Sequence, residues 1–267
     1  MAKAAGRKCI FITGAASGIG RATARRFAAG GWFVGAFDVN ADGLKALSDE
    51  LGEGNVFART LDVADRADYA RAIEAFGAET GGTMDVLFNN AGIGRGGPFD
   101  EMAWEDVLAV VNVNFIGVMN GIHLAMPLLK ATPNSLCFTT SSSSATYGMA
   151  NIAVYSATKH AVKGLTEALA IEFKRYGIRA ADTLPGLIDT AILPEDAKTR
   201  APADGMFRLI QPTEVAEAVW SAYTTDKIHW YVPAEIFDLD KMATLSPEAT
   251  RDQMAAMSGF ITSNGEG

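Results

Sequence analysis

Between Lys8 and Leu184, short apolar runs of strand length alternate with stretches whose apolar residues recur at helical spacing, and few folds accommodate that pattern. Lys8–Thr13, Trp32–Phe37, Asn55–Thr60, Asp85–Phe88, Ser135–Thr140 and Ile178–Leu184 read as strands. Helices are expected up to Ala28, over Ala41–Leu51 and Asp65–Phe76, from about Trp104 to Lys130, and over Ala153–Tyr176. Gly30–Gly31 and Gly177 mark helix ends, and Pro127 should kink or reset a last turn. Strands joined through helices pair in parallel and need helices on both faces. No repeat, low-complexity tract or linker interrupts the pattern, so residues 1–267 read as one α/β domain around a doubly wound parallel sheet. Ligands of such sheets gather outside the carboxyl ends of the strands.

Composition narrows the function classes. Hydrophobic content of 49% and charged content of 20% are those of a globular enzyme. A net charge of −8 with no basic cluster speaks against a nucleic-acid or anionic-membrane partner. The polar lead from Met1 to Lys8 lacks the apolar region of a signal peptide, and no apolar run approaches eighteen residues. Cys9 and Cys137 sit in strand-like runs and read as buried free thiols, which fits a cytoplasmic setting. His123, His160 and His229 are scattered singly and form no metal pattern.

The strand ends carry the chemistry. Gly14, Gly18 and Gly20 follow the first strand and open the first helix, in the order Thr13-Gly-x-x-x-Gly-Ile19-Gly20. Glycines let a backbone turn tightly and approach a pyrophosphate, whose charge a helix N-terminus favours. Asp38 closes the second strand, where a carboxylate can bind both ribose hydroxyls of an adenosine or serve as a simple turn residue. No basic residue follows it, and Ser17 precedes Gly18, so the pattern favours NAD over NADP. Asp62 and Val63 follow the third strand, within reach of an adenine. Asn89, Asn90, Ala91 and Gly92 follow the fourth, where small residues permit close backbone contact. Asn112 and Asn114 lie in the long helical region, where asparagine is unfavourable and hints at a bend or a buried water.

After the fifth strand come four serines, 141 to 144, and then Tyr155 and Lys159 four apart on one helical face. A free phenol titrates near ~10, too high for acid–base work at neutral pH. A cation about 4 Å away, at an effective dielectric of about 20, is worth roughly 4 kcal/mol, or about three pKa units. The expectation is a phenol brought near working pH by Lys159, with Ser142 placing its hydroxyl beside it. A second pair, Tyr223 and Lys227, has the same spacing but follows no serine-rich strand end.

With these residues in view, the chain from Lys8 to Tyr231 resembles the short-chain dehydrogenase/reductase family. The motifs occur in order: TGAASGIG at Thr13–Gly20, Asp62, NNAG at Asn89–Gly92, Asn114, Ser142, YSATK at Tyr155–Lys159 and PGLIDT at Pro185–Thr190. The resemblance implies a Rossmann-like sheet of about seven strands and a catalytic tetrad of Asn114, Ser142, Tyr155 and Lys159. Asn114 begins the N-x-x-G pattern ending at Gly117, and Ser142 precedes the tyrosine by the family's usual thirteen residues; Ser141 and Ser143 are slipped alternatives. In family terms Tyr155 is the acid/base, Lys159 binds the nicotinamide ribose and lowers the phenol pKa, Ser142 orients the substrate oxygen, and Asn114 holds a water. Pro185, Gly186, Ile188 and Thr190 would form the nicotinamide-facing loop, with the Ile188 backbone at the carboxamide and Thr190 near the phosphates. The family also implies a homodimer or homotetramer. The chain departs from the pattern at its end: Ile228–Val232 stands as the seventh strand, and a tail over residues 233–267, helical from Pro247 to Met257, replaces the usual glycine-rich segment.

The expected reaction is hydride transfer between a secondary alcohol and NAD. A flap over residues 187–210, carrying Ile192, Leu193, Met206, Phe207 and Leu209, should face the cleft with Tyr147 and Met149, which suits an alicyclic, aromatic or steroid-like alcohol. The rivals are an NADPH-dependent carbonyl or 3-oxoacyl-thioester reductase and a non-catalytic NAD-binding sensor.

Overall fold

In a computed structural model, which describes Ala4 and residues 6–258, seven strands form one parallel sheet. They are β1 (Cys9–Thr13), β2 (Phe33–Asp38), β3 (Val56–Thr60), β4 (Val86–Asn89), β5 (Leu136–Thr140), β6 (Arg179–Pro185) and, beyond two short strands, β9 (His229–Val232). The sheet order is β3-β2-β1-β4-β5-β6-β9, and it reverses direction between β1 and β4. That switch point is where a parallel sheet opens a crevice at its carboxyl edge.

The strands read as almost unbroken apolar runs because both faces are covered. Alternate residues divide the core: Cys9 and Phe11 point into one layer, Ile10 and Ile12 into the other. The first layer packs α3 (Arg66–Thr80), α5 (Gly117–Lys130) and α6 (Ala153–Glu172); the second packs α1 (Gly18–Ala29), α2 (Ala41–Leu51) and α8 (Pro212–Ala222). Element ends differ from the expected ones by a few residues; α3, for example, runs on to a left-handed Gly81.

The long region Trp104–Lys130 is not one regular helix. It comprises α4 (Trp104–Val111), a π-turn over Asn112–Ile116, and α5, which continues through Pro127 to Lys130. The bend anticipated from mid-helix asparagine is this π-turn. The region has the length the sequence indicated but is more apolar than expected: a window of mean hydropathy 1.6 within it meets the length and composition of a membrane-crossing helix. Here the π-turn interrupts it, and it buries Asn114 and Asn120 against the sheet side of the core.

Residues 187–210 fold back on themselves. Two short strands, β7 (Leu187–Ile188) and β8 (Leu209–Ile210), pair in parallel at the base and enclose α7 (Glu195–Arg200). After β9 come α9 (Ile236–Leu245) and α10 (Pro247–Ser258); the tail beyond Ser258 and residues 1–3 and 5 of the lead Met1–Lys8 lie outside the described residues. Cys9 and Cys137 are buried free thiols, and burial pushes both up to about 12.

His229 does not stand alone. Its Nδ1 lies 2.7 Å from Asp182 Oδ1 and its Nε2 lies 3.2 Å from Glu167 Oε1, between β6, β9 and α6. Nearby, Lys163 Nζ meets Asp240 Oδ2 at 2.8 Å. Burial disfavours the His229 cation, but the hydrogen bond and charge of Asp182 outweigh it and hold the imidazole above its ordinary value, against the opposing charge of Lys163 and with that of Glu167. Burial likewise holds the Asp182 carboxyl up. His229 binds its proton more tightly folded than unfolded, so the stability it gives is complete below about pH 6.5 and is lost as pH rises through its folded value; the raised Asp182 carboxyl has the same sign but acts from about pH 3.8 upward. Urea midpoints should therefore fall between pH 6 and 9 in the parent protein, and fall less in His229→Gln; parallel pH profiles would refute this.

Candidate active site

The cleft lies where the carboxyl ends of β1, β4 and β5 meet the start of α6. Lys159 is almost fully buried, and its Nζ donates to the Thr140 carbonyl at 2.7 Å and lies 5.5 Å from the centroid of the Tyr155 ring. Ser142 Oγ accepts from the Ser144 amide at 3.1 Å, and the Ser142 hydroxyl sits near enough to the Tyr155 phenol to favour its ionised form. Ser141 donates instead to the Lys159 carbonyl at 3.0 Å, so its hydroxyl holds α6 against β5. Of the four serines, Ser142 is thus the one beside the phenol. Tyr223, from the second Tyr–Lys pair, donates to Asp85 Oδ1 at 2.9 Å, far along the fold from this cleft.

The electrostatics correct one expectation. Lys159 does not lower the Tyr155 pKa in this state. Burial raises the phenol above its ordinary value, and the nearby Ser142 hydroxyl offsets only part of that. The ammonium is itself buried, turned toward the Thr140 carbonyl, and brought down to about 8. Burial disfavours the charged form of both groups, which sets the direction of both shifts.

Asn114 is fully buried in the π-turn. Its Oδ1 accepts from the Ile93 amide at 2.9 Å and its Nδ2 donates to the Ile93 carbonyl at 3.0 Å. The amide is therefore closed on the loop after β4, where a water-holding role was expected of it. Asn112 is exposed and takes no part. Asn90 ties three strand ends together: its Nδ2 donates to the Thr13 carbonyl at 3.1 Å, and its Oδ1 accepts from Thr140 Oγ1 at 3.1 Å. Thr13 Oγ1 in turn accepts from the Asn90 and Ala91 amides, both at 3.0 Å. Thr140 was not singled out from the sequence, and Thr13 only as the start of the glycine motif, although each is a hydroxyl at the tip of a central strand.

A model of the short chain dehydrogenase family matches residues 8–201. The chain belongs to the short-chain dehydrogenase family. It is similar to a cyclohexanol dehydrogenase from Acinetobacter, 35% identical over 216 residues that cover 79% of this chain and 86% of that protein. It is also similar to a 3-oxoacyl-acyl-carrier-protein reductase from Thermotoga maritima, 34% identical with coverage of 88% and 96%. Among solved structures, a Burkholderia phymatum short-chain dehydrogenase in complex with NAD superposes with a TM-score of 0.81 at 26% identity, covering 91% of this chain and 95% of the other. The protein is thus an oxidoreductase with a Rossmann-like nucleotide-binding fold.

A short-chain dehydrogenase works on a nicotinamide cofactor, and the residues present fit one. Asn40 and Asp65 cap α2 and α3 with side-chain hydrogen bonds, whereas no side chain caps α1 at Ser17 and its first turn holds no acid. The amides of Gly18, Ile19 and Gly20 thus face a place suited to an anion. Gly14 and Gly18 have φ of +67° and +49°, and a Cβ on Gly18 would lie 2.9 Å from the Thr190 methyl, so side chains are excluded from the cradle. Asp38 Oδ2 accepts from the Ala16 amide at 3.0 Å and Oδ1 from the Asn40 amide at 3.0 Å. The carboxylate therefore braces the glycine turn, and each oxygen keeps a lone pair for a further donor. Asp62 is exposed at the end of β3, with Oδ1 accepting from the Ala64 amide, and Val63 is buried against Gly117. Gly92 opens toward Lys159 Nζ, Ile188 is buried in β7, and Gly186 backs onto Pro233.

Proposed function

We propose that this short-chain dehydrogenase oxidises a secondary alcohol on an apolar, cyclohexanol-like skeleton with NAD. The carrying observation is the placement of Ser142 beside the Tyr155 phenol, one helical turn from buried Lys159, at the rim of a glycine-lined cradle. In this reading Tyr155 takes the carbinol proton, Ser142 aligns the substrate oxygen beside the phenol, and Lys159 meets the ribose and supports the phenolate. Asn114 acts through Ile93, fixing the loop next to the reacting groups. Bound NAD supplies the hydride acceptor.

Asp38 and the absence of a basic residue after it support NAD, as does the NAD complex of the Burkholderia relative. The cyclohexanol dehydrogenase supports an alicyclic alcohol, along with the apolar side chains of residues 187–210. The similarity to a 3-oxoacyl-acyl-carrier-protein reductase favours a second reading, an NADPH-linked carbonyl reductase. An absorbance assay with NAD and NADP over cyclic, aromatic and polyhydroxy alcohols decides between them. The expected result is NADH formation with cyclohexanol-type alcohols. A preference for NADPH-driven ketone reduction, or oxidation of polyols alone, would sink the proposal. Asp38→Ala is expected to shift the NAD/NADP selectivity by about 10²-fold toward NADP, since a carboxylate beside a 2′-phosphate is worth several kcal/mol at ~4 Å.

Two buried thiols suit a cytoplasmic enzyme. Self-association is part of the proposal: Trp104, Leu108 and Ile171 lie exposed on α4 and α6, the helices expected to pair between subunits. Light scattering should return a dimer or tetramer.

A further inference from the structure

Where β4 stops, β5 runs on for one residue more. The register pairs Asn89 with Thr139 and ends there, so Thr140 has no ladder neighbour on that side. On the other side the Ser141 amide donates to the Thr183 carbonyl of β6 at 2.8 Å. The N–H and C=O of one planar trans peptide point opposite ways, so the Thr140 carbonyl faces the notch that β4 leaves. A buried carbonyl without a partner is costly, and the donor that reaches this one is Lys159 Nζ, at 2.7 Å. The ammonium thus completes the edge of the sheet. A residue without a side chain leaves the space for it: a Cβ built on Gly92 would lie 3.8 Å from the same Nζ.

The acceptor is itself held. Thr140 Oγ1 donates to Asn90 Oδ1 at 3.1 Å, and Asn90 Nδ2 donates in turn to the Thr13 carbonyl at 3.1 Å, so the peptide that meets the ammonium is tethered to the base of the glycine turn. The next residue grips the lysine from behind. Ser141 Oγ, fully buried, donates to the Lys159 carbonyl at 3.0 Å. That carbonyl lies in the body of α6 and has a helical partner already, so the extra bond is not needed to satisfy it; its effect is to fix where the helix sits. A lysine ends on a flexible four-carbon stem that does not place its charge alone. Here two consecutive residues of one strand tip hold its head and its root.

We propose that Thr140 and Ser141 are positioning residues for Lys159, a clamp that seats the ammonium with its remaining N–H donors free toward the cleft. The clamp's catalytic role rests on the dehydrogenase reading, in which those donors meet the ribose and support the phenolate. Thr140→Val keeps the volume and removes the tether, Thr140→Ser keeps the tether, and Ser141→Ala releases the root. Thr140→Val and Ser141→Ala should each lower kcat about tenfold, short of the ~10²-fold that a 1 Å misplacement costs, while Thr140→Ser keeps the parent value. A second readout needs no substrate. In protein carrying 13C-lysine, the Cε resonance that Lys159→Met removes should titrate near pH 8 in the parent and about half a pH unit lower in both impaired variants, since an ammonium that loses an acceptor loses a partner favouring its charge. Tyr155, the titratable side chain whose ring faces the ammonium at 5.5 Å, is common to all of these proteins. An unmoved titration or a parent kcat in either impaired variant overturns the clamp, as does a Thr140→Ser as impaired as Thr140→Val, which would put packing in place of the hydroxyl. Should Thr140→Val not fold, Ser141→Ala carries the same two readouts. A parent whose Lys159 titrates as stated but which oxidises no alcohol fails the dehydrogenase reading and leaves the clamp standing.

Discussion

Tyr155→Phe is expected to lower kcat for alcohol oxidation by about 10³-fold, the scale of a positioned acid–base group, while NADH binds with unchanged affinity. The substitution removes one oxygen from a partly buried ring packed against the cluster of Val107, Val110 and Val154, so the fold has no reason to respond. The pH profile tests the reasoning more sharply than the loss itself. A general base must be deprotonated, and burial holds this phenol above its ordinary value in the free protein. Its ionised fraction rises about tenfold per pH unit below that value, so kcat/KM for oxidation should climb from pH 7 through 9 without levelling, and the reverse reduction should favour lower pH. Lys159, brought down to about 8, loses its charge inside the same range and shallows the climb near its upper end. A profile flat above pH 7 would show that the phenol is already ionised there, and that attraction to Lys159 outweighs burial after all. Residual oxidation by the Phe variant within tenfold of the parent would remove Tyr155 from the chemistry.

That contest between burial and attraction was invisible in the sequence, and the reason is general. Spacing of four placed Tyr155 and Lys159 on one helical face, which the structure bears out. The ammonium's nearest partner, the Thr140 carbonyl, comes from another strand end, and the desolvation of both groups depends on everything packed around them. The alternation of strands and helices was legible because period and turn chemistry are local. So was the glycine turn, because Gly14 and Gly18 take positive φ that other residues resist. Helix α8 passed unnoticed although its signals were local too: Gln211 and Glu214 form a capping box around Pro212, directly before an apolar face that packs on α1. The His229–Asp182–Glu167 cluster had no local signal, since its members are brought together only by pairing β6 with β9 and laying α6 across them. The Asn114 amide likewise finds its partner, Ile93, across the chain.

The same change, glycine to alanine in a helix, should act in opposite directions at two positions. Gly164 lies exposed in α6 with nothing within 4 Å of a built Cβ. There alanine has only its propensity to contribute, and Gly164→Ala should stabilise by about 0.5–1 kcal/mol. Gly20 lies buried in the first turn of α1, where a Cβ would fall 2.0 Å from the Gly14 carbonyl oxygen, 2.7 Å from its carbon and 2.8 Å from Asn90 Nδ2. Two of those atoms are backbone and the third is held by the Thr13 carbonyl, so none can yield without moving the turn. Overpacking of this kind costs about 1–3 kcal/mol, more than the propensity gain. The turn that must shift is the one whose amides face the cofactor, so Gly20→Ala should also weaken NADH binding by about 10²-fold, as expected of a misplacement near 1 Å. Urea unfolding and fluorescence titration of the two variants side by side separate the effects. If Gly20→Ala bound NADH as the parent does, the close approach of α1 to the Gly14 carbonyl would not be what shapes the cradle.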